Sequence, residues 1–234
     1  MDLETETKTR PFSRWWPILL MVTVSVAAGV FANLALSPDQ QVQASDEIAQ
    51  LETIQAKLIN STVLPENFKT VPAFSLLTAD NQAITQQVFE DKWTVAFFGF
   101  THCPDICPAT LAAMNSVLSS LEPSVAEPQV IFVTVDPVRD TVEKLSEYVA
   151  YFNEDFIGIT GDLTDITKLT QALGIVASYT ASEDDPNQYT VDHTASMLLI
   201  DPSLRVRARI NAPHSVKNIT NDYSELYKAL NPPS

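Results

Sequence analysis

The feature that most limits how this chain can fold is a pair of short, almost uninterrupted apolar runs. The first is "WTVAFFGF" at residues 93–100, and the second is "QVIFVTV" at residues 129–135. Runs of this length that are rich in β-branched and aromatic residues are typical of strands buried on both faces of a sheet. Both runs therefore predict central strands with other layers packed on each side.

Helical patterns and further strands alternate with these two runs. Pro108 fits a first helical position, and "ATLAAMNSVLSSL" continues that helix to Leu121. Apolar residues at helical spacing predict two more helices, with faces formed by Val142, Leu145, Val149 and Phe152, and by Leu163, Ile166, Leu169 and Leu173 before Gly174. Additional elements are predicted as strands at 73–78 and 156–160, a hairpin of "ASMLLID" and "RVRARI" around the turn "DPSL", and a helix at 216–230. This order predicts an α/β fold in which helices flank a central mixed sheet.

A run of 22 residues near the N-terminus, Trp15 to Leu36, contains no charged residue. It is long enough to cross a bilayer as a helix. Basic residues precede the run and none follows before Lys57, so the positive-inside rule predicts a cytoplasmic segment at 1–14 and an extracytoplasmic remainder. We therefore expect a single-pass protein of the inner (plasma) membrane with a periplasmic domain. A cleaved signal peptide is the alternative, and the length of the run favours a retained anchor.

The remaining chain divides into a stalk at residues 37–64 and a folded domain at residues 65–234. Ile48, Leu51 and Ile54 recur at roughly helical spacing, followed by Leu58, which indicates an amphipathic helix in part of the stalk. The chain carries 29 Asp and Glu against 14 Lys and Arg, a net charge of −15. Binding to nucleic-acid phosphates needs a basic face, so this balance argues against a nucleic-acid partner.

Both cysteines of the chain, Cys103 and Cys107, lie in one motif, "GFTHCPDICPATL". The motif follows a predicted central strand and precedes a predicted helix, which is the arrangement of the thioredoxin redox pair with one extra residue between the cysteines. The partial positive charge of a helix N-terminus favours a thiolate at this position. A disulfide between such close neighbours restrains little of the unfolded chain, so we interpret the pair as functional, either redox-active or metal-binding.

A histidine supplies a possible third ligand. In a thioredoxin-like arrangement the loop before the strand at residues 195–201 faces the cysteine turn, and His193 lies in that loop. Two thiolates and an imidazole suit copper, as Cu(I) with these three ligands or as Cu(II) with a fourth donor, whereas structural zinc normally takes four. We expect His102 to point away from Cys103, and His214 to be a surface or capping residue.

Two aspartates end the other central strand at the same edge of the sheet. Asp136 and Asp140 lie in "VDPVRDT". They are interpreted as supporting the metal ligands from outside the site or as facing a partner protein. The alternative is a purely structural role, with Asp136 in a turn and Asp140 or Thr141 capping the next helix.

Three separated blocks, "FFGFTHCPDICPATL", "VTVDPVRDT" and "VDHTASMLLIDP", resemble the SCO/SenC family. The resemblance covers residues 71–230 and the apolar run before them. It implies a thioredoxin-like fold, a membrane anchor, and one bound copper ion, with the family's metal cysteines on Cys103 and Cys107, its metal histidine on His193, and its aspartate block on Asp136 and Asp140. It also implies two partners: subunit II of cytochrome c oxidase, whose binuclear copper site is matured, and other copper chaperones.

Two functions from different classes follow from these residues. The first is a copper-binding assembly factor that is not an enzyme and has no catalytic residue. The second is a thiol–disulfide oxidoreductase, in which Cys103 and Cys107 form a redox disulfide and keep the cysteines of a client reduced. His193 separates the two, because a reductase does not need it. A peroxidase is less favoured, because no arginine that could activate peroxide is evident beside the cysteine loop.

Overall fold

The computed structural model describes residues 38–181 and 189–231. The predicted membrane helix at residues 15–36 lies outside these ranges, as does the predicted cytoplasmic segment at residues 1–14. Among the helices of the two described ranges, none combines the length and the apolar composition that crossing a bilayer requires.

Eight strands of the described chain form one mixed sheet. In chain order they are β1 (Ser61–Val63), β2 (Ser75–Thr78), β3 (Ala83–Thr85), β4 (Thr94–Gly99), β5 (Gln129–Thr134), β6 (Ile157–Thr160), β9 (Met197–Ile200) and β10 (Val206–Ile210). Their order across the sheet is β1-β10-β9-β4-β5-β6-β2-β3. The central pairs β4/β5 and β5/β6 are parallel, and the outer pairs are antiparallel. The two remaining strands, β7 (Ala177–Ala181) and β8 (Tyr189–His193), pair with each other in a separate two-stranded hairpin.

The central strands are buried on both faces, as the two apolar runs predict. In β4, Val95 and Phe97 face one apolar cluster, and Ala96 and Phe98 face the other. This alternation follows from the two-residue period of a strand. A sheet with two apolar faces must be covered twice, which accounts for the helices on both sides.

The helices of the described chain are α1 (Pro38–Gln55), α2 (Ile106–Leu118), α3 (Val142–Phe152), α4 (Leu163–Leu173) and α5 (Val216–Leu230), with a short 3-10 helix at Gln86–Phe89. Helices α2, α3 and α5 contribute buried residues to the cluster on one face, and α4 contributes to the cluster on the other. Helix α4 ends at Gly174, whose φ of 76° lies in the left-handed region that favours glycine.

The predicted mixed sheet between helices is confirmed, with several differences in detail. Helix α2 begins at Ile106, so Pro108 is its third residue rather than its first, and the helix ends at Leu118 rather than Leu121. The β7–β8 hairpin and strand β3 were not predicted. The sheet also begins earlier than residue 65, because β1 lies in the range predicted as a stalk and pairs with β10. Within that range, Leu51 and Ile54 of α1 pack against the core, as does Leu58, whereas Ile48 is exposed.

Candidate metal centre

The two cysteines lie where β4 turns into α2. Strand β4 ends at Gly99, Cys103 lies in the turn, and Cys107 is the second residue of the helix. The backbone N–H of Cys103 donates to the carbonyl oxygen of Phe100 at 3.2 Å. Both cysteines are free thiols, with Cys107 fully buried and Cys103 partly exposed. The more exposed sulfur is therefore the one that an incoming ion or protein reaches first.

Gly99 makes room for the buried sulfur. A Cβ atom at this position would lie 2.7 Å from Cys107 Sγ and 2.9 Å from Cε2 of Phe132. Such distances are too short for carbon, so any side chain here would displace the thiol or the ring. A glycine at the end of β4 is thus a requirement of the site, and sequence reasoning did not single it out.

His193 is the last residue of β8, and its ring has a defined orientation. Nδ1 lies 3.1 Å from the carbonyl oxygen of Thr194, which can only accept, so Nδ1 carries the proton. Nε2 therefore has its lone pair free, and it faces Cys107 Sγ at 3.7 Å. The imidazole packs edge-on to Phe97 and Phe100, with centroid distances of 6.3 and 5.7 Å. Burial lowers the pKa of His193, which keeps the ring neutral and able to ligate a metal.

The donor atoms of Cys103, Cys107 and His193 all lie within 4.8 Å of one another. Two sulfur atoms and one imidazole nitrogen form a soft donor set, which fits copper. The three residues come from two segments far apart in sequence, and the fold brings them together as the sequence predicts.

The ionisation of Cys107 differs from the expectation at a helix N-terminus. Burial raises its pKa, and the neighbouring Cys103 adds to the shift, so the thiol form is favoured without a metal. Loss of solvation is the largest cause of this shift, so burial at Cys107 opposes the preference for thiolate that a helix N-terminus favours. Metal binding at this residue must displace a proton.

Asp140 is fully buried and supports the cysteine turn. Its carboxylate accepts hydrogen bonds from the backbone N–H of Thr101 at 2.9 Å, from Thr101 Oγ1 at 2.6 Å and from Thr134 Oγ1 at 2.6 Å. Helix α3 is capped by Thr141 rather than by Asp140, since the Thr141 hydroxyl accepts a hydrogen bond from the backbone N–H of Lys144. Because no part of Asp140 reaches solvent, it does not face a partner.

Asp136 is also buried, and it joins two segments that sequence reasoning did not connect. Its carboxylate accepts a hydrogen bond from the hydroxyl of Tyr189 at 2.6 Å and pairs with Nε of Arg139. Arg139 in turn lies 5.8 Å from the ring centre of Phe100, the residue just before the cysteine turn. The premise that no arginine lies near the cysteine loop is therefore wrong. The guanidinium pairs with Asp136 through Nε and donates to the carbonyl oxygen of Tyr189 through Nη1, whereas its buried Nη2 has no hydrogen-bond partner among the described residues.

The other two histidines are not in the cluster of donor atoms. The exposed ring of His102 lies beside Thr101 Oγ1 at 3.1 Å. The partly buried ring of His214 lies 2.8 Å from Thr110 Oγ1 and packs against Phe97. The expectation that His214 is a surface or capping residue is wrong, because its ring is partly buried and Ser215 caps α5.

Comparisons with known proteins give a consistent result. The model of the SCO1/SenC family matches residues 62–228. A Stutzerimonas stutzeri protein described as a candidate copper-binding protein is 33% identical over 155 residues, which cover 66% of this chain and 74% of that protein. The Arabidopsis thaliana mitochondrial protein SCO1 homolog 1 is 34% identical over 149 residues, which cover 63% of this chain but only 44% of the plant protein. The structure of Arabidopsis thaliana ScoI with copper bound superimposes with a TM-score of 0.62 at 33% identity, covering 67% of this chain and 98% of that one.

Proposed function

The chain belongs to the SCO1/SenC family, and from this premise we propose that it binds one copper ion through Cys103, Cys107 and His193 and serves in the assembly of cytochrome c oxidase. The single observation that carries the proposal is the convergence of two sulfur atoms and one imidazole nitrogen within 4.8 Å. The similar Arabidopsis ScoI was crystallised with copper bound, which supports copper as the cargo.

The residues of the site suit capture and release of a soft ion. Cys103 is partly exposed and offers the first sulfur, while Cys107 and the neutral His193 complete the ligand set from the buried side. Cys107 loses its proton as the metal binds, so copper binding is favoured at higher pH. An exchange that begins at the exposed Cys103 allows a client ligand to enter before the buried ligands let go.

The client is subunit II of cytochrome c oxidase, at its binuclear copper site, and other copper chaperones supply the ion. Both partners are inferred from the family.

We further propose that residues 15–36 anchor the chain in the inner membrane and that the domain lies in the periplasm. Replacing both cysteines and introducing Ser234→Cys tests this topology. An impermeant thiol reagent is expected to label intact spheroplasts, and labelling only after lysis would reverse the orientation.

A thiol–disulfide reductase is the second candidate function. The observation that favours it is the proximity of two free thiols, one of them partly exposed, which is the arrangement from which a reversible disulfide forms. In this function Cys103 attacks the disulfide of the client and Cys107 resolves the mixed disulfide. His193 has no necessary part in that exchange.

One experiment separates the two functions. Oxidase activity is measured in membranes of a deletion strain that carries the wild type, His193→Ala or Cys103→Ser at equal expression. Copper delivery predicts that both variants fail, because an incomplete ligand set holds the ion poorly, and that excess copper in the medium restores activity in part. Full rescue by His193→Ala with none by Cys103→Ser would contradict copper delivery and favour the reductase.

A further inference from the structure

The position of His193 depends on how one hairpin is attached to the rest of the domain. His193 is the last residue of β8, and β8 pairs with β7 alone, outside the eight-stranded sheet. The cysteines, by contrast, follow directly from the central strand β4. The distance between the sulfur atoms and the imidazole therefore depends on how the β7–β8 hairpin is held against the sheet, as well as on the short link from His193 to β9.

Arg139 makes several of these contacts at once. Its guanidinium carbon lies 4.0 Å from the centre of the Tyr189 ring, in a cation–π contact. Its Nη1 donates to the carbonyl oxygen of Tyr189 at 3.1 Å, and its Nε pairs with Asp136. The hydroxyl of Tyr189 donates to the same carboxylate at 2.6 Å, which closes a ring of three side chains.

The same guanidinium also supports the surface against which His193 rests. It lies 5.8 Å from the ring centre of Phe100, and the imidazole of His193 packs edge-on to that ring at 5.7 Å. Arg139 thus contacts the first residue of the strand that ends in His193 and the aromatic ring beside the imidazole.

We propose that Arg139 is a positioning residue of the copper centre, which fixes the β7–β8 hairpin so that His193 presents Nε2 to the two sulfur atoms. This inference rests on the proposed copper function. Arg139 is not one of the three donor residues, and it acts through Tyr189 and Phe100. Lysine cannot replace it fully, because an ammonium group lacks the planar face that stacks on a ring and the separate donors that reach two acceptors at once.

The test is a double-mutant cycle on the full-length protein. Copper(I) affinity is measured by competition with a chromophoric chelator for the wild type, Arg139→Met, His193→Ala and the double variant. Residues that orient metal ligands typically change affinity 10- to 100-fold, and we expect a loss in roughly this range for Arg139→Met. In the His193→Ala background we expect Arg139→Met to have no further effect, because its route to the metal is gone. The nitrogen coupling in the electron paramagnetic resonance spectrum of the Cu(II) form should also weaken in Arg139→Met.

The matched control is Lys168→Met, which also removes one positive charge but from an exposed ion pair with Asp165 on α4. It should bind copper like the wild type. Equal copper affinity of Arg139→Met and Lys168→Met would overturn the proposal. So would an equal loss of affinity from Arg139→Met with His193 present and in the His193→Ala background, because that result would indicate a general defect in folding. If His193→Ala itself binds like the wild type, the ligand assignment is wrong and the proposed function fails first. If Arg139→Met does not fold, Arg139→Lys takes its place in the same cycle. We then expect a smaller loss of copper affinity, which again disappears in the His193→Ala background.

Discussion

At the scale of single residues, the buried hydroxyl groups of two tyrosines differ in whether they have a hydrogen-bond partner. Tyr223 is fully buried, and its hydroxyl donates to the carbonyl oxygen of Ala126 at 2.6 Å. The hydroxyl of Tyr148 is also buried but has no hydrogen-bond partner among the described residues. An unpaired buried donor carries the cost of desolvation without a compensating bond.

We therefore expect Tyr148→Phe to leave the free energy of unfolding unchanged or to raise it. Tyr223→Phe is the matched control, and it should lower that free energy by about 1 kcal/mol, since one hydrogen bond is lost. Chemical denaturation of the metal-free protein measures both. A loss in Tyr148→Phe as large as that in Tyr223→Phe would mean that the Tyr148 hydroxyl has a partner after all.

His214 makes stability depend on pH. Burial lowers its pKa below the ordinary value of 6.5, so in mildly acidic solution the unfolded chain takes up a proton that the folded chain does not. Above this value both states are unprotonated at His214 and the free energy of unfolding keeps its full value. Below it, the free energy of unfolding decreases as the pH falls. For one proton the slope is at most about 1.4 kcal/mol per pH unit.

Replacing this histidine should flatten the dependence. His214→Asn is expected to show a smaller decrease in unfolding free energy between about pH 7 and pH 5 than the wild type. The measurement is a series of denaturation curves on the metal-free protein at several pH values. The pKa of His193 is lowered in the same direction, so some slope remains in the variant. Identical slopes in the two proteins would contradict the assignment.

The candidate ligands could be predicted from the sequence, whereas the residues that surround and support them could not. Cys103, Cys107 and His193 were found because their chemistry is distinctive and because strand order brings them to one edge. Gly99 was missed because its role depends on the packing of a sulfur atom against Phe132, a distance that no sequence pattern encodes. Arg139 was missed because its partner, Tyr189, lies 50 residues away in sequence.

At the scale of elements, the turn after β5 holds the turn after β4. Asp140 joins them, with all three of its hydrogen bonds made to threonines at the ends of these two strands. The carboxylate only accepts, and each of its neighbours only donates to it. The cysteine turn is therefore fixed by a carboxylate that has no contact with solvent.

Asp140→Asn should disturb this connection although the side chain keeps its size. The amide is neutral and has only one accepting oxygen, so it cannot keep all three hydrogen bonds that the charged carboxylate accepts, and we expect a loss of about 1–3 kcal/mol in unfolding free energy and weaker copper binding. Asp105→Asn is the matched control, because Asp105 is an exposed residue of the same turn whose side chain does not cap α2. Both variants are compared by denaturation and by copper titration. Wild-type behaviour of Asp140→Asn would show that its hydrogen bonds do not hold the cysteine turn.

The elements that were not predicted share a physical reason. In β7, four of the five residues are exposed, so the strand has no apolar alternation that would reveal it. Strands β1 and β3 have only three residues each, too few for a periodic pattern. By contrast, β4 and β5 are wholly or almost wholly buried, and burial on both faces is what makes a strand recognisable from sequence.

At the scale of the whole molecule, the site draws on three separate parts of the chain. The cysteines come from the turn after β4, the supporting aspartates from the turn after β5, and His193 from the β7–β8 hairpin. Strands β4 and β5 are parallel neighbours, so their carboxyl ends meet at one edge of the sheet. This is where ligands bind in open α/β sheets, and it is why topology alone predicts the location of the centre.

The N-terminal limit of the folded domain is a second property of the whole molecule. Asp222 on α5 is fully buried, and its carboxylate accepts hydrogen bonds from Ile59 N at 2.7 Å, Asn60 N at 2.8 Å and Ser61 Oγ at 2.7 Å. Burial by itself raises the pKa of Asp222, but these hydrogen bonds outweigh it and the pKa is lowered. The charged side chain therefore depends on the segment just before and within β1.

A fragment that starts at Leu64 should consequently fail to fold, whereas one that starts at Gln50 should fold and bind copper. The shorter fragment loses β1, which exposes the edge of β10, and it leaves a buried carboxylate without three of its donors. A hydrogen bond to a charged group contributes about 1.5–3 kcal/mol, so the loss of three such bonds is large against the 5–15 kcal/mol that stabilises a typical domain. Circular dichroism and cooperative thermal unfolding of the two fragments provide the measurement. Adding Asp222→Asn to the shorter fragment removes the stranded charge and should restore part of the folded signal. A fragment from Leu64 that unfolds at the same temperature as the one from Gln50 would place the limit of the domain at residue 65, as the sequence pattern alone suggests.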